Sequence, residues 1–186
     1  MIRRLFRSKT FYLVIGFFVA GFWLMHWVNA VGGPSIVRDR FGWAAPAVSM
    51  QIQWIVGMTP FPTDILAIAN GSLYGFWLGA LVSWAGWYID ALIKFYIGRS
   101  TKEDFPVDQW VARLPKKLQR VPVDYPVFLI GSRLVPYAGG FICTFIPGAL
   151  GVRWSRFVWC AALAIVPPAL IMAAIGVGLL SMEGRL

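Results

Sequence analysis

Two apolar stretches, residues 43–74 and 126–151, are each broken near the middle by proline or glycine. Each is followed by a long, mainly apolar run able to cross a bilayer, 75–97 and 157–180. This alternation constrains the fold more than any other feature. Irregular backbone at membrane depth is tolerated only where protein buries it or it lines water. The chain is 59% hydrophobic and 13% charged over 186 residues. A soluble domain carries roughly 25% charged residues, so the composition points to the membrane class.

A further run, residues 10–28, holds no charge across nineteen residues. At about 1.5 Å per residue it reaches across a hydrocarbon core of about 30 Å. A leader peptide is the rival reading, because Arg3 and Arg4 precede the run and Val28-Asn29-Ala30 resembles a cleavage site. The run exceeds the usual h-region of roughly 7–15 residues and ends on Trp27, an interfacial anchor, so an uncleaved span is expected.

In the first broken stretch, residues 44–59 read as one helix, and Pro60-Phe61-Pro62 stops it. Thr63 or Asp64 is placed to cap a second short helix through Ser72. In the second stretch, Pro136 and Gly139-Gly140 make the break. Pro167-Pro168 predicts a kink in the last span. Between the halves, Val107, Trp110, Val111, Leu114 and Leu118 recur at helical spacing opposite Arg113, Lys116 and Lys117, which predicts an amphipathic helix in the interface. The expected fold is an all-α polytopic integral membrane protein. It has two opposed re-entrant helical hairpins forming an inverted repeat, three full spans and that interfacial helix. Residues 1–43 make the N-terminal span and its connection. Residues 44–180 make the main domain, with halves 44–98 and 126–180 around the linker 99–125, and residues 181–186 are a tail.

The formal net charge of +9 raises the question of nucleic acid. The basic residues flank apolar runs instead: Arg3 to Lys9, Arg99 to Arg120, Arg153 and Arg156. That is the positive-inside pattern, and no basic–aromatic surface module remains outside the runs. A cytoplasmic N-terminus puts these groups inside and leaves Arg38, Arg40 and Arg185 outside. A bacterial inner membrane is expected from the short loops and this bias. Cys143 and Cys160 sit in apolar surroundings and read as buried thiols. His26 is the lone histidine, so no metal-ligand spacing exists. No nucleotide-binding or nucleophile motif appears, and neither a cofactor nor an enzyme activity is expected.

The halves share a plan. Pro60 to Gly75 and Pro136 to Gly151 have the same spacing, and Gly71-Ser72-Leu73-Tyr74-Gly75 echoes Gly148-Ala149-Leu150-Gly151. Paired broken segments in opposed orientation mark inverted-repeat transporters, whose site lies between the breaks. Asp64 and Arg133 lie at or near those breaks. A charge there facing lipid costs from about 3 to over 10 kcal/mol. One reading is a midplane site in which Arg133 binds an anionic phosphate and Asp64 exchanges a proton. The other is a structural Asp64–Arg133 ion pair. Asp90 and Lys94, one turn apart, are either locally neutralised or a proton relay. Pro60, Pro62, Gly71, Gly75, Pro136, Gly139, Gly140 and Gly148 shape the hairpins. They also let helices approach and free backbone N–H groups that favour anions. Homo-oligomerisation through glycine-rich faces is open.

The residues Pro60-Phe61-Pro62-Thr63-Asp64, Gly71-Ser72-Leu73-Tyr74-Gly75, Phe95-Tyr96-Ile97-Gly98-Arg99 and Arg133-Leu134-Val135-Pro136, in that order and spacing, resemble the DedA / VTT-domain proteins, also called SNARE-associated Golgi protein homologues. The resemblance covers residues 44–178. It implies opposed re-entrant hairpins and movement of lipids, including a polyprenyl phosphate carrier, with proton coupling. It places Asp64 and Arg133 on the family's functional acid and arginine. The best-known bacterial branch has a second arginine where this chain has Gly139, and a further acid where it has Gln51 and Gln53. The chain is therefore closer to the VTT branch shared with eukaryotes. The expected function is a flippase or scramblase for phospholipid or polyprenyl phosphate, with membrane lipids and protons as partners. A proton-coupled small-anion carrier and a non-transport assembly factor are the alternatives.

Overall fold

The computed structural model describes residues 12, 15, 16, 19–23, 26, 27, 30, 35–59, 61–104, 125–131 and 139–183. The described residues from 12 to 30 are helical. They are followed by α1 (Ser35–Phe41), a 3-10 turn (Gly42–Ala44), α2 (Ala45–Gly57), α3 (Asp64–Tyr74), α4 (Phe76–Asp104), α5 (Pro126–Gly131), α6 (Gly139–Ala149) and α7 (Trp154–Glu183). Among the described residues no strand occurs.

The local reasons are legible. Pro46 sits in the first turn of α2, where a missing N–H costs nothing. That helix closes as Met58 N bonds to Ile55 O and Thr59 N to Val56 O. Gly75, at φ +79°, ends α3 in a conformation that side chains other than glycine's strain to adopt. α4 begins at the next residue and runs through Asp104, past the expected end at Ile97. α7 continues through Pro167 and Pro168.

Within α4 and α7, residues Phe76–Ser100 and Trp154–Leu179 are long and apolar enough to cross a membrane, with mean hydropathy 1.3 and 2.3. Only 39% of each such window is buried. Leu78, Leu81, Leu163, Ile171, Ile175 and Leu179 face outward. A soluble core helix would hide these residues. An apolar exterior is the surface that lipid solvates.

The chain divides into two compact units, Leu13–Asp90 with Ile165–Leu186, and Met1–Tyr12 with Ala91–Ala164. In the first, Val37, Ala45, Ile52, Val56 and Leu66 form a buried core, flanked by Trp27, Ile36, Val48 and Tyr74. In the second, Phe95 stacks on Phe157 with centroids 4.2 Å apart, and Trp154 packs at 5.5 Å. Leu129, Cys143 and Cys160 are buried there, and both thiols are free.

The two units repeat one motif. An eleven-residue helix, α3 or α6, leads to a left-handed glycine, Gly75 at φ +79° or Gly151 at φ +77°, and then to a long helix. In the first unit a Cβ on Gly71 would meet the backbone of Ala173, and one on Gly176 would meet Ile68 and Ser72. In the second, a Cβ on Gly148 would meet Phe95 and Arg99, and one on Gly98 would meet Phe145 and Ala149. Ile68, Gly71 and Ser72 thus correspond to Phe145, Gly148 and Ala149, and Phe95 and Gly98 to Ala173 and Gly176. Each short helix is held backbone-to-backbone against the long helix of the other sequence half.

Candidate functional site

The first unit contains a line of polar side chains in otherwise apolar surroundings. Ser49, Gln53 and Gly57 are spaced four residues apart on α2 and so share one face. Ser83, Gly86 and Asp90 make the matching stripe on α4. The Ser49 and Tyr74 hydroxyls share a hydrogen bond of 2.7 Å. One turn further along α2, Asn70 Nδ2 donates to Gln53 Oε1 at 2.7 Å and to Ser83 Oγ at 3.1 Å. Gln53 Nε2 donates to the Ser83 carbonyl at 3.3 Å. Gln53 and Ser83 are wholly buried and Asn70 nearly so.

Glycines make room for this line. A Cβ on Gly86 would lie 3.1 Å from the Gln53 side chain, and one on Gly57 would lie 2.9 Å from the Asp90 carboxylate. A Cβ on Gly79 would meet the backbone of Asn70 and Gly71. The Gly75 turn therefore folds α4 back along α3 at van der Waals distance. Isolated polar groups in such a setting cost several kcal/mol each by transfer, and mutual hydrogen bonding removes most of that cost (about 2–7 kcal/mol per bare group).

Asp64 stands at the N-terminus of α3 and is exposed. The helix dipole favours a carboxylate there. Thr63 occupies the capping position but caps nothing with its side chain. Its Oγ1 accepts a hydrogen bond of 2.8 Å from Trp87 Nε1. The turn that carries Asp64 is thereby tied to α4, and Asn70 ties the same helix again two turns later.

The other expected site residues fall as follows. Asp90 and Lys94 are buried one turn apart on α4, and they are the only buried charged side chains among the described residues. Pro62 lies exposed in the α2–α3 connection. Gly71 and Gly148 lie at helix crossings, and Gly75 at the α3–α4 turn. Gly139 and Gly140 open α6. Pro60, Arg133, Pro136 and the amphipathic segment expected at 107–118 lie outside the described residues. Among the described residues no three His, Cys, Asp or Glu side chains cluster.

Gln53, Asn70 and Ser83 are the residues that sequence reasoning passed over. Gln53 enters it only as a neutral residue in place of an acid. The available signal was the placing of single polar residues at one-turn intervals with small ones, Ser49–Gln53–Gly57 and Ser83–Gly86–Asp90.

Residues 61–178, more than half of the chain, match the VTT domain family. No curated protein and no solved structure matches the chain.

Proposed function

The chain belongs to the VTT-domain family, the family of DedA and SNARE-associated Golgi proteins, and is a membrane protein; on that premise we propose that it moves a phosphate-bearing lipid, a phospholipid or polyprenyl phosphate, across the bilayer. The observation that carries this reading is the buried polar line of the first unit, anchored to the helix that presents Asp64. A wholly buried glutamine, a buried asparagine and a buried aspartate, one on each of three packed helices, are more polarity than apolar packing of those helices requires. Polar residues held inside membrane segments commonly mark a pathway for a polar substrate or a proton.

In this reading Arg133 meets the lipid phosphate, because a guanidinium matches phosphate oxygens with paired donors. Asp64 gates the site and exchanges a proton, and Asp90 with Lys94 relays it. The acyl or prenyl tails stay in lipid, so only the headgroup needs a polar route. Supporting this are the exposure of Asp64 at a helix N-terminus and the burial of Asp90 behind Gly57.

The test is reconstitution into liposomes with fluorescent phospholipid or polyprenyl phosphate, with and without a pH gradient. Asp64→Asn and Arg133→Ala are expected to abolish translocation while leaving insertion intact. Parental rates in both variants would remove these residues from the mechanism. Translocation unaffected by the gradient would remove the proton.

A further inference from the structure

Helix α1 and the turn after it lie before the matched family residues, and they combine a basic, an apolar and an aromatic edge. With about 100° of rotation per residue, Val37 and Phe41 share one edge, Arg38 and Arg40 flank it on either side, and Asp39 points the opposite way. Val37 is buried in the core of the first unit, while Arg38, Asp39, Arg40 and Phe41 are exposed. Gly42, at φ +51°, then turns the chain and leaves Trp43 95% exposed. Arg38 Nη1 donates to the Leu73 carbonyl at 2.9 Å, which brings α1 to the last turn of α3. Four residues further along, Trp77 is 77% exposed in the first turn of α4.

Trp side chains bared at one end of a membrane unit mark the headgroup level, where an aromatic ring is half in lipid and half wet. Cationic flanks at that level face phosphates, and an acid on the opposite edge faces water. We propose that α1 and Trp43 form an interfacial foot that binds the headgroup of an anionic phospholipid through Arg38 and Arg40. This goes beyond the transport reading and holds whether or not the protein moves lipid. Charge and position argue for the occupant: Val37 packs inward, the exposed guanidiniums of Arg38 and Arg40 lie on either side of it, and the exposed Phe41 and Trp43 follow, so the guanidiniums fit a phosphate whose own tails enter the membrane next to Phe41. Arg38 reaches the lipid from a guanidinium that the Leu73 carbonyl already orients, so little side-chain freedom is lost on binding.

The test places an aromatic fluorophore at position 43 by Trp43→Cys in the full chain, with the buried Cys143 and Cys160 replaced by alanine. The protein is reconstituted in phosphatidylcholine vesicles containing a trace of either phosphatidylglycerol or phosphatidylcholine, each with a nitroxide near the acyl carbonyl. Phosphatidylglycerol is expected to quench more strongly, with local enrichment of about fivefold for each arginine engaged. Arg38→Gln/Arg40→Gln should bring the two quenchers to parity. Arg40→Gln alone, which keeps the bond from Arg38 to Leu73, should lose part of the preference. Parity in the parent, an unchanged preference in Arg40→Gln, or quenching by aqueous iodide as complete as for free dye would each overturn the proposal.

Discussion

Asn70 donates from one amide nitrogen to Gln53 on α2 and to Ser83 on α4. Its replacement therefore acts on two helix contacts together. Asn70→Ala should lower stability by about 1–3 kcal/mol, because it leaves the Gln53 carbonyl oxygen buried without its donor. Asn70→Asp should be worse, since an ionised carboxylate cannot donate to Gln53 Oε1 or Ser83 Oγ. Thermal unfolding of detergent-solubilised protein, followed by size-exclusion fluorescence, measures both. Equal midpoints for the parent and the two variants would show that the network holds nothing. The polar stripes on α2 and α4 left a signal in the sequence, but their pairing through Asn70 did not, because the partners are 17 and 13 residues away from it. No local rule of spacing pairs an amide with a serine thirteen residues on, in the next helix. Asp64 and Asp90 were legible singly, since a charge in an apolar run stands out without knowledge of its neighbours.

Two short helices, each ended by a left-handed glycine and clamped to a long helix, set the architecture of α3 with α7 and of α6 with α4. The clamps are close enough that a single methyl is excluded. Gly98→Ala and Gly176→Ala should each destabilise by roughly 1–3 kcal/mol, as added atoms do in a filled interior. Gly178→Ala, two residues beyond Gly176 with nothing within 4 Å of its Cβ, should be neutral or stabilising, by up to about 1 kcal/mol of helix propensity. Chemical denaturation of the three variants in one detergent decides the matter. Equal gain at Gly98, Gly176 and Gly178 would mean that propensity, not contact, sets the outcome. At this scale the sequence was informative about breaks and poor on partners. Proline and glycine act on their own backbone, so the α2–α3 interruption and the Gly75 turn could be read directly. Which helix fills the groove over Gly71 depends on tertiary packing, and the long extension of α4 beyond Ile97 had no apolar signal to announce it.

Helices α4 and α7 expose large apolar side chains, among them Leu163 of α7, 57% exposed. Leu163→Arg should impair insertion and folding by about 2.5–3.5 kcal/mol, where the same change on a soluble surface would be harmless. A glycosylation-acceptor or protease-protection assay of insertion checks this. The membrane class was legible from composition because it is a sum over all residues, and the family from four short motifs in order. Whether Asp64 and Arg133 form a pair was not legible, because it depends on tertiary placement, and Arg133 lies outside the described residues. The proposed cargo is a lipid. Its most direct test compares two cargoes in the same proteoliposomes: a fluorescent phospholipid or polyprenyl phosphate in the membrane, and inorganic phosphate in the water. The expected result is lipid translocation that Arg133→Ala abolishes, with no uptake of phosphate. Phosphate uptake without lipid movement would contradict it and make the protein a small-anion carrier.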